Sequence, residues 1–235
     1  NKTMKQTSKN LKKTPMIAAN GVKMPMVGGK PNWLKVTYDE PDNKKLKKLY
    51  VGWAEVYDKN MVEWGYSYNR YVVKLFPKMK VKKNAKILDA GGGSGWVGQS
   101  LFDIGYRNLI NIDYSPEMLK EAKKKKIYKK NICADLKKPI KMRTNSIDAI
   151  MSVGFLARGH LGTECLDEFY RILKPGGYHI CSIGENVFKK FGFDKKIKQL
   201  IDDGIVTVDH KTRPFTVLPN NKASAKSRMW CIRKL

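Results

Sequence analysis

The sequence predicts an α/β fold in which helices cover both faces of a mostly parallel β-sheet, with a helical cap on the N-terminal side. Short apolar runs alternate with amphipathic stretches from residue 85 onward, which is typical of parallel strands joined by crossing helices. The cluster Gly91-Gly-Gly-Ser-Gly95 separates the first apolar run from the next amphipathic stretch, as in a tight turn from strand to helix. Ligands of such sheets bind at the carboxyl ends of the strands.

Two cap helices are predicted from apolar residues that recur every three or four positions. The first pattern runs from Lys44 to Tyr57, and the second from Asn60 to Lys78. Residues 1–42 mix lysine, proline and glycine without a sustained period, which predicts a basic, mobile arm, with an arm that folds over a ligand as the alternative. We expect one domain over residues 43–235, with 43–80 as the cap, 85–183 as the ligand-binding core and 184–235 as a C-terminal helix and strands.

Helix-end signals help to place the elements of the core. Ser115-Pro-Glu-Met118 offers an N-cap, a proline at the first helical position and an acid in the first turn. The run Lys123–Lys126 ends this helix, and Lys174-Pro-Gly-Gly177 ends a later one. We predict strands over residues 85–90, 109–113, 127–133, 146–153, 178–183, 205–209 and 228–233, and helices over residues 96–104, 116–126, 161–173 and 186–202.

Composition excludes several classes of protein. The chain has 235 residues, 42% of them hydrophobic, which suits one domain with a full core and excludes a wholly disordered chain. No apolar run approaches the length of a transmembrane helix. The four cysteines are dispersed without a Cys-x-x-Cys pair, which argues against a structural zinc site and is typical of a reducing compartment. We therefore expect a cytoplasmic protein without a metal centre.

The net charge of +26 is the most unusual bulk property of the chain. Such an excess indicates either a polyanionic partner, such as nucleic acid or an anionic membrane surface, or a lysine-rich composition that reflects an AT-rich coding sequence, which is the favoured explanation. Only eight of the 47 basic residues are arginine, the side chain best suited to base readout and bidentate phosphate recognition. Nucleic acid therefore remains an alternative partner that the sequence does not favour.

The segment Leu88-Asp-Ala-Gly-Gly-Gly-Ser-Gly95 predicts a nucleotide site. Glycines let the backbone approach a ligand closely, and the following helix offers free N–H groups. Asp113 ends the next predicted strand, 20 residues beyond Gly93, where an acid can accept hydrogen bonds from both ribose hydroxyls. These residues predict a cofactor that contains a nucleoside.

A dinucleotide-dependent dehydrogenase is one interpretation of this site. Gly93-Ser-Gly-Trp-Val-Gly98 fits the G-x-G-x-x-G pattern, and Tyr170 and Lys174 have the spacing of a short-chain dehydrogenase pair. However, those dehydrogenases begin at the glycine strand, whereas more than 80 residues precede it here. Their tyrosine and lysine also follow the fifth strand, but Tyr170 precedes it. This interpretation is not favoured.

The frame of Asp89, Gly91, Gly93 and Gly95 resembles motif I of class I S-adenosylmethionine-dependent methyltransferases. Other features of that family follow in order up to residue 183: Asp113, Ala134-Asp-Leu136, Asp148-Ala-Ile150 and Leu173-Lys-Pro-Gly-Gly177. The resemblance implies a Rossmann-like sheet of seven strands with the last one reversed, and S-adenosyl-L-methionine as the cofactor.

The same resemblance implies roles for individual residues. The loop of Gly91, Gly92, Gly93 and Gly95 packs against the methionine and ribose parts of the cofactor, beside Asp89. Asp113 holds the ribose hydroxyls, Tyr114 and Met118 contact the adenine, Asp135 accepts its amino group, and Ala134, Leu136 and Val153 line the site. Three of these residues also have plainer explanations: Met118 as core, Tyr114 as a partly exposed loop residue and Asp135 as a loop cap.

A further resemblance lies upstream of the glycine loop. Tyr50-Val-Gly-Trp-Ala-Glu-Val-Tyr-Asp58 fits the pattern Y-x-x-W-A-x-x-Y-D. Together with Val153-Gly-Phe-Leu156, it resembles the group that includes the methyltransferase-like protein of the Williams–Beuren deletion region, over roughly residues 50–183. This resemblance implies an entry helix that covers the cofactor, with Tyr50 and Tyr57 as cofactor-binding residues.

The predicted activity is S-adenosylmethionine-dependent methyl transfer to nitrogen or oxygen of a small-molecule acceptor. Alignment supplies much of the rate enhancement in such a displacement, and a base is needed only if the acceptor must lose a proton. His160 is the candidate base, with a structural role as the alternative. The cap aromatics suit an apolar or cationic acceptor, and for all of them except Tyr50 and Tyr57 ordinary helix packing is the favoured explanation: Tyr50, Trp53, Tyr57, Trp64 and Tyr68.

Two alternative functions remain open. Ser152-Val-Gly-Phe155 lacks the N/D-P-P-Y/F motif usual in nucleic-acid amino methyltransferases, which argues against N-methylation of bases. An RNA methyltransferase of another branch is still favoured by the charge. A methyltransferase-like binding protein without turnover is the other alternative, since a fold does not guarantee chemistry.

Overall fold

A computed structural model describes residues 26–27, 30–31, 33–34, 37, 43–156, 162–222 and 224–235. Most of the predicted N-terminal arm and the candidate base His160 lie outside these residues. Met26–Val27 (β1) and Lys30–Pro31 (β2) form a small antiparallel pair. The strands of the main sheet are β3 Ile87–Ala90, β4 Leu109–Asp113, β5 Tyr128–Cys133, β6 Ile147–Leu156, β7 Leu173–Gly184, β8 Val206–Lys211, β9 Phe215–Thr216 and β10 Lys226–Lys234.

The main sheet has the strand order β5-β4-β3-β6-β7-β10-β8. The five strands from β5 to β7 are parallel to their neighbours, whereas β10 is antiparallel to both β7 and β8. The prediction of a mostly parallel, Rossmann-like sheet of seven strands with the last one reversed is therefore confirmed. A short strand that was not predicted, β9, pairs with β10 outside this path.

Helices cover both faces of the sheet, as the alternating pattern predicts. Neighbouring residues of β3 point to opposite faces, so that Ile87 joins one apolar cluster and Leu88 the other. The described helices are α1 Asn43–Trp64, α2 Tyr68–Lys78, α3 Trp96–Asp103, α4 Pro116–Lys125, α5 Leu166–Ile172, α6 Glu185–Phe188 and α7 Phe193–Asp202, with a 3-10 turn at Thr163–Cys165. The cluster of Ile87 includes residues of α1, α2 and α3, and the cluster of Leu88 includes residues of α5 and α7.

The boundary between the two cap helices was predicted wrongly. Helix α1 continues through the expected break near residue 58 to Trp64. It ends at Gly65, where φ is +70°, a value that glycine adopts without the steric penalty of other residues. The apolar periodicity is compatible with either boundary, and only the backbone conformation at Gly65 distinguishes them.

Two further element boundaries differ from the prediction, one because of a glycine and one because of a strand bulge. The expected helix over residues 186–202 is divided into α6 and α7 at Gly192, where φ is +74°. The preceding helix ends at Ile172, as the stop at Lys174-Pro-Gly-Gly177 predicts, but β7 already begins at Leu173 and includes these four residues. Here the strand register shifts, because Ile147 pairs with Leu173 whereas Ala149 pairs with Tyr178. The extra residues are accommodated as a bulge.

Part of the sequence assigned to the arm contributes to the core. Trp33, Leu34 and Thr37 are buried, and the ring of Trp33 stacks on Trp53 of α1 with centroids 6.2 Å apart. Among the helices that the structure describes, none combines the length and the apolar character needed to cross a membrane.

Candidate functional site

A cavity opens at the carboxyl ends of the parallel strands, below the cap. It encloses about 1030 Å³ of empty space, counted out to its open mouth. Thirteen of the fourteen residues predicted to bind a cofactor line it: Tyr50, Tyr57, Asp89, Gly91, Gly92, Gly93, Asp113, Tyr114, Met118, Ala134, Asp135, Leu136 and Val153.

The glycine loop after β3 leaves no room for side chains at Gly91 and Gly92. A Cβ atom on Gly91 would lie 2.2 Å from the Phe155 ring, and one on Gly92 would lie 2.6 Å from the Asp89 carboxyl group. Gly91 and Gly93 also have positive φ, which favours glycine. The loop therefore exposes bare backbone to the cavity.

Gly95, the fourteenth residue, has a different position. It is the left-handed N-cap of α3, and a Cβ there would lie 2.8 Å from the ring of Tyr128. Among the residues described, it packs against Tyr128 and does not line the cavity. Its role as a cofactor ligand remains a prediction from the resemblance.

Asp113 is held firmly at the end of β4. Its Oδ2 accepts the N–H of Gly93 at 2.9 Å, and its Oδ1 accepts the N–H of Ser115 at 2.8 Å. Burial raises the pKa of Asp113, while these backbone hydrogen bonds oppose the rise. The N–H of Tyr114 is a third backbone donor to this carboxylate. A carboxylate has about four acceptor positions, so about one remains for a ligand hydroxyl.

Asp89 forms a buried pair with Tyr128 beneath the loop. The Tyr128 hydroxyl donates to Oδ2 of Asp89 at 2.5 Å. Burial, together with the nearby charge of Asp113, raises the pKa of Asp89 to about 7, although the Tyr128 hydrogen bond acts in the opposite direction. Asp89 therefore supports the loop from below as well as lining the cavity.

The wall formed after β4 and β5 combines apolar and polar side chains. Ser115 caps α4 by accepting the N–H of Met118 at 3.2 Å, which fixes the buried Met118 side chain beside the cavity. Leu136 is also buried, whereas Tyr114 is exposed at the mouth. Asp135 both lines the cavity and accepts the N–H of Lys137 at 3.0 Å, so the plainer explanation as a loop cap is compatible with a binding role.

The aromatic residues of the cap divide into two groups. Tyr50 and Tyr57 line the cavity. The other three candidates for acceptor contact, Trp53, Trp64 and Tyr68, belong to the core and do not line the described cavity. Trp53, for example, has Tyr57 against its edge at 4.8 Å and Trp64 at 6.0 Å between ring centroids. For these three residues helix packing is the observed role.

Sequence analysis missed seven residues that line the cavity. Tyr66 follows the glycine that ends α1, and its hydroxyl lies 2.5 Å from the position of a Cβ on Gly154. The position of Tyr66 depends on where α1 ends, and the spacing of apolar residues did not determine that end. Phe155 belongs to a motif already recognised at the end of β6, which was a usable signal. The full set is Tyr66, Trp96, Val97, Ser115, Lys137, Gly154 and Phe155.

The described histidines lie away from the cavity. His179 is buried and hydrogen-bonded to the Ser152 hydroxyl at 2.7 Å and the Tyr170 hydroxyl at 3.2 Å, and burial lowers its pKa to about 3. His210 contacts Lys78 near the surface. Tyr170 is therefore part of a neutral core network, and in the described part of the chain it forms no dehydrogenase pair with Lys174, which contacts Asp148 at 2.6 Å.

A metal centre has no support in the described residues. Within residues 43–156, 162–222 and 224–235, no group of three or more His, Cys, Asp or Glu side chains is arranged to hold a metal ion. The four cysteines are free, with Cys133 exposed and the other three buried.

Comparison with protein families and curated proteins gives two matches. Residues 88–181 match a family model described as a methyltransferase domain. Human methyltransferase-like protein 27 is 27% identical over 147 residues, which are 61% of this chain and 60% of that protein. The chain thus spans about 60% of the length of this curated relative.

Solved structures show the same fold. A methyltransferase from a complex with the Trm112 methyltransferase activator of Haloferax volcanii matches with a TM-score of 0.57 and 19% identity, over 78% of this chain and 96% of the other. An S-adenosylmethionine-dependent methyltransferase from Aquifex aeolicus matches with a TM-score of 0.55 and 19% identity, over 83% of this chain and 100% of the other.

Proposed function

We propose that the chain is an enzyme that transfers a methyl group to nitrogen or oxygen of a small-molecule acceptor. The proposal starts from its class I methyltransferase domain, whose cofactor is S-adenosyl-L-methionine. The family resemblance seen in the sequence is confirmed by these matches. The identity of the acceptor and the roles of the individual residues belong to the proposal.

One observation carries the proposal: a single cavity combines a side-chain-free loop with a preorganised carboxylate. Gly91 and Gly92 line the cavity with backbone alone, because a Cβ on either would clash with Phe155 or Asp89. Asp113 retains an acceptor position for a ribose hydroxyl. Met118 and Leu136 offer an apolar surface to a flat base. These features fit a nucleoside with a short polar extension, as in S-adenosyl-L-methionine.

The cofactor supplies, when bound, an activated methyl group on a sulfonium sulfur. The protein's contribution is then chiefly to hold donor and acceptor in line and to exclude water. Among the described residues that line the cavity there is no histidine. A general base therefore remains a prediction that concerns His160, which lies outside the described residues.

The character of the cavity supports an uncharged or cationic acceptor. Tyr50, Tyr57, Tyr66 and Phe155 present aromatic groups to it, and aromatic faces attract cations. The described charged residues that line it are three acids and one base: Asp89, Asp113, Asp135 and Lys137. This balance is opposite to the net charge of the whole chain, so it disfavours phosphate-bearing acceptors. We therefore propose small amines and phenols as the acceptor class.

RNA is the second candidate acceptor, and it is favoured by one surface. Strand β5 is the edge of the sheet, and together with the adjoining α4 it exposes a row of lysines, a pattern suited to phosphate contacts. Lysines also protect edge strands from aggregation, so the row has a second explanation. The exposed members are Lys120, Lys123, Lys124, Lys126, Lys129 and Lys130.

The deciding experiment is calorimetric titration of the full chain with S-adenosyl-L-methionine and S-adenosylhomocysteine, followed by transfer of labelled methyl groups to acceptor panels. Saturable binding and labelling of small amines or phenols support the proposal. Labelling of RNA, with retention that falls steeply as salt rises, favours the second candidate. Binding without any transfer identifies a silent binding protein, and a folded chain that does not bind the cofactor refutes the proposal.

A cytoplasmic location is proposed from the free cysteines alone.

A further inference from the structure

We infer that Asp58, Ser94 and Lys125 form a latch that holds the cap helix α1 on the glycine loop and thereby sets how long the cofactor stays bound. The inference rests on the proposed function in assuming that the cavity binds S-adenosyl-L-methionine. It assigns a positioning role to three residues that do not line the described cavity.

The latch connects three separate parts of the fold through one carboxylate. Oδ1 of Asp58, on α1, accepts a hydrogen bond from the Ser94 hydroxyl at 2.6 Å. Its Oδ2 accepts a hydrogen bond from Nζ of Lys125, at the end of α4. The same Nζ donates to the backbone oxygen of Ser94 at 2.8 Å. Each of the three residues therefore contacts the other two.

The surroundings distinguish this ion pair from an ordinary surface pair. The exposed fraction of the Lys125 side chain is 18% and that of Asp58 is 33%, while Ser94 is 1% exposed. By contrast, Lys198 and Asp202 on α7 form a pair whose side chains are 74% and 56% exposed. Exposed pairs are screened by water and salt and contribute little, whereas sheltered charges depend on their partners.

The positions of the three residues connect the latch to both walls of the cavity. Asp58 directly follows Tyr57, which lines the cavity from the cap side. Ser94 directly follows Gly93, whose N–H is bound to Asp113 on the opposite wall. Displacement of Asp58 would therefore move an aromatic wall of the cavity relative to the loop. Loss of the latch loosens the cap, and faster ligand dissociation follows.

The main test uses Asp58→Asn and Lys125→Met, which nearly preserve side-chain volume while removing one charge each. Asp202→Asn and Lys198→Met are the matched controls, because they break an exposed pair on α7. We expect each latch variant to raise both the Kd for S-adenosyl-L-methionine and its dissociation rate about tenfold, measured by calorimetry and by displacement with S-adenosylhomocysteine. The double latch variant should resemble the single ones, since both remove the same contact. Controls should stay within twofold of wild type.

A second measurement keeps the inference separate from the proposed function. Amide hydrogen exchange of α1 in the ligand-free chain should speed up in Asp58→Asn, and to a smaller degree in Ser94→Ala, with the exchange of α7 unchanged. Unaltered exchange and unaltered dissociation in folded latch variants would overturn the latch. Failure of the wild-type chain to bind S-adenosyl-L-methionine would instead overturn the proposed function, and the exchange data would still decide whether the latch exists.

Discussion

Asp113→Asn is the substitution that most directly tests the site. The carboxylate accepts the N–H groups of Gly93 and Ser115, one on each oxygen. Asparagine has nearly the same shape but only one acceptor oxygen, so its amide nitrogen must face one of these two donors. The variant therefore loses a charged hydrogen bond inside the protein and one acceptor for the ribose.

The size of both effects follows from the same hydrogen bonds. A hydrogen bond to a charged group contributes about 1.5–3 kcal/mol, so we expect the free energy of unfolding to fall by at most that amount, because removal of a buried charge offsets part of the loss. For a chain of this length, this corresponds to a fall in Tm of roughly 3–12 °C. Loss of one ribose hydrogen bond of similar strength raises the Kd for S-adenosyl-L-methionine roughly 10- to 150-fold.

Calorimetric titration and thermal unfolding, each with Asp103→Asn as the control, measure these effects. Asp103 ends α3, where it accepts a hydrogen bond from the side chain of Gln99 at the surface. The control should change neither quantity noticeably. A Kd for Asp113→Asn within threefold of the wild-type value would show that the carboxylate does not hold the ribose, and the assignment of the site would be wrong.

Three further predictions concern the loop and the buried ionisable groups. Gly91→Ala should abolish cofactor binding, measured by calorimetry, because the new Cβ would clash with Phe155. Gly176 has a similar φ of +77° but no atom within 4 Å of an added Cβ, so Gly176→Ala should leave binding intact. The pKa of Asp89 rises from 3.8 to about 7 in the fold, so its contribution to stability is full below pH 3.8 and is lost as pH rises towards 7. Urea titrations from pH 4 to 8 should therefore show that the stability of Asp89→Asn relative to wild type increases with pH. Burial lowers the pKa of His179 to about 3, so NMR should find its ring neutral at pH 5, and a ring that titrates near pH 6.5 would contradict the buried network.

Local signals were sufficient for much of the core. Strand β4 has the predicted bounds, and α4 begins at Pro116 with Ser115 as its cap. The predicted end of α1 failed because its apolar period continues beyond residue 58, while the actual end depends on the positive φ of Gly65. Such signals lie in a few adjacent residues, and the sequence is informative only where they are strong.

The sequence by itself determined the order of strands and helices, the glycine loop, and the acid at the end of the second core strand. These features depend on hydrophobic period, backbone freedom and turn chemistry, all of which act over a few residues. Only the tertiary structure decided that Tyr66 lines the cavity, that Tyr128 supports Asp89, and that Asp58 meets Ser94 and Lys125. The hydrogen bonds among these residues join positions 31 to 67 apart. Their formation depends on how whole elements pack, which no local pattern encodes.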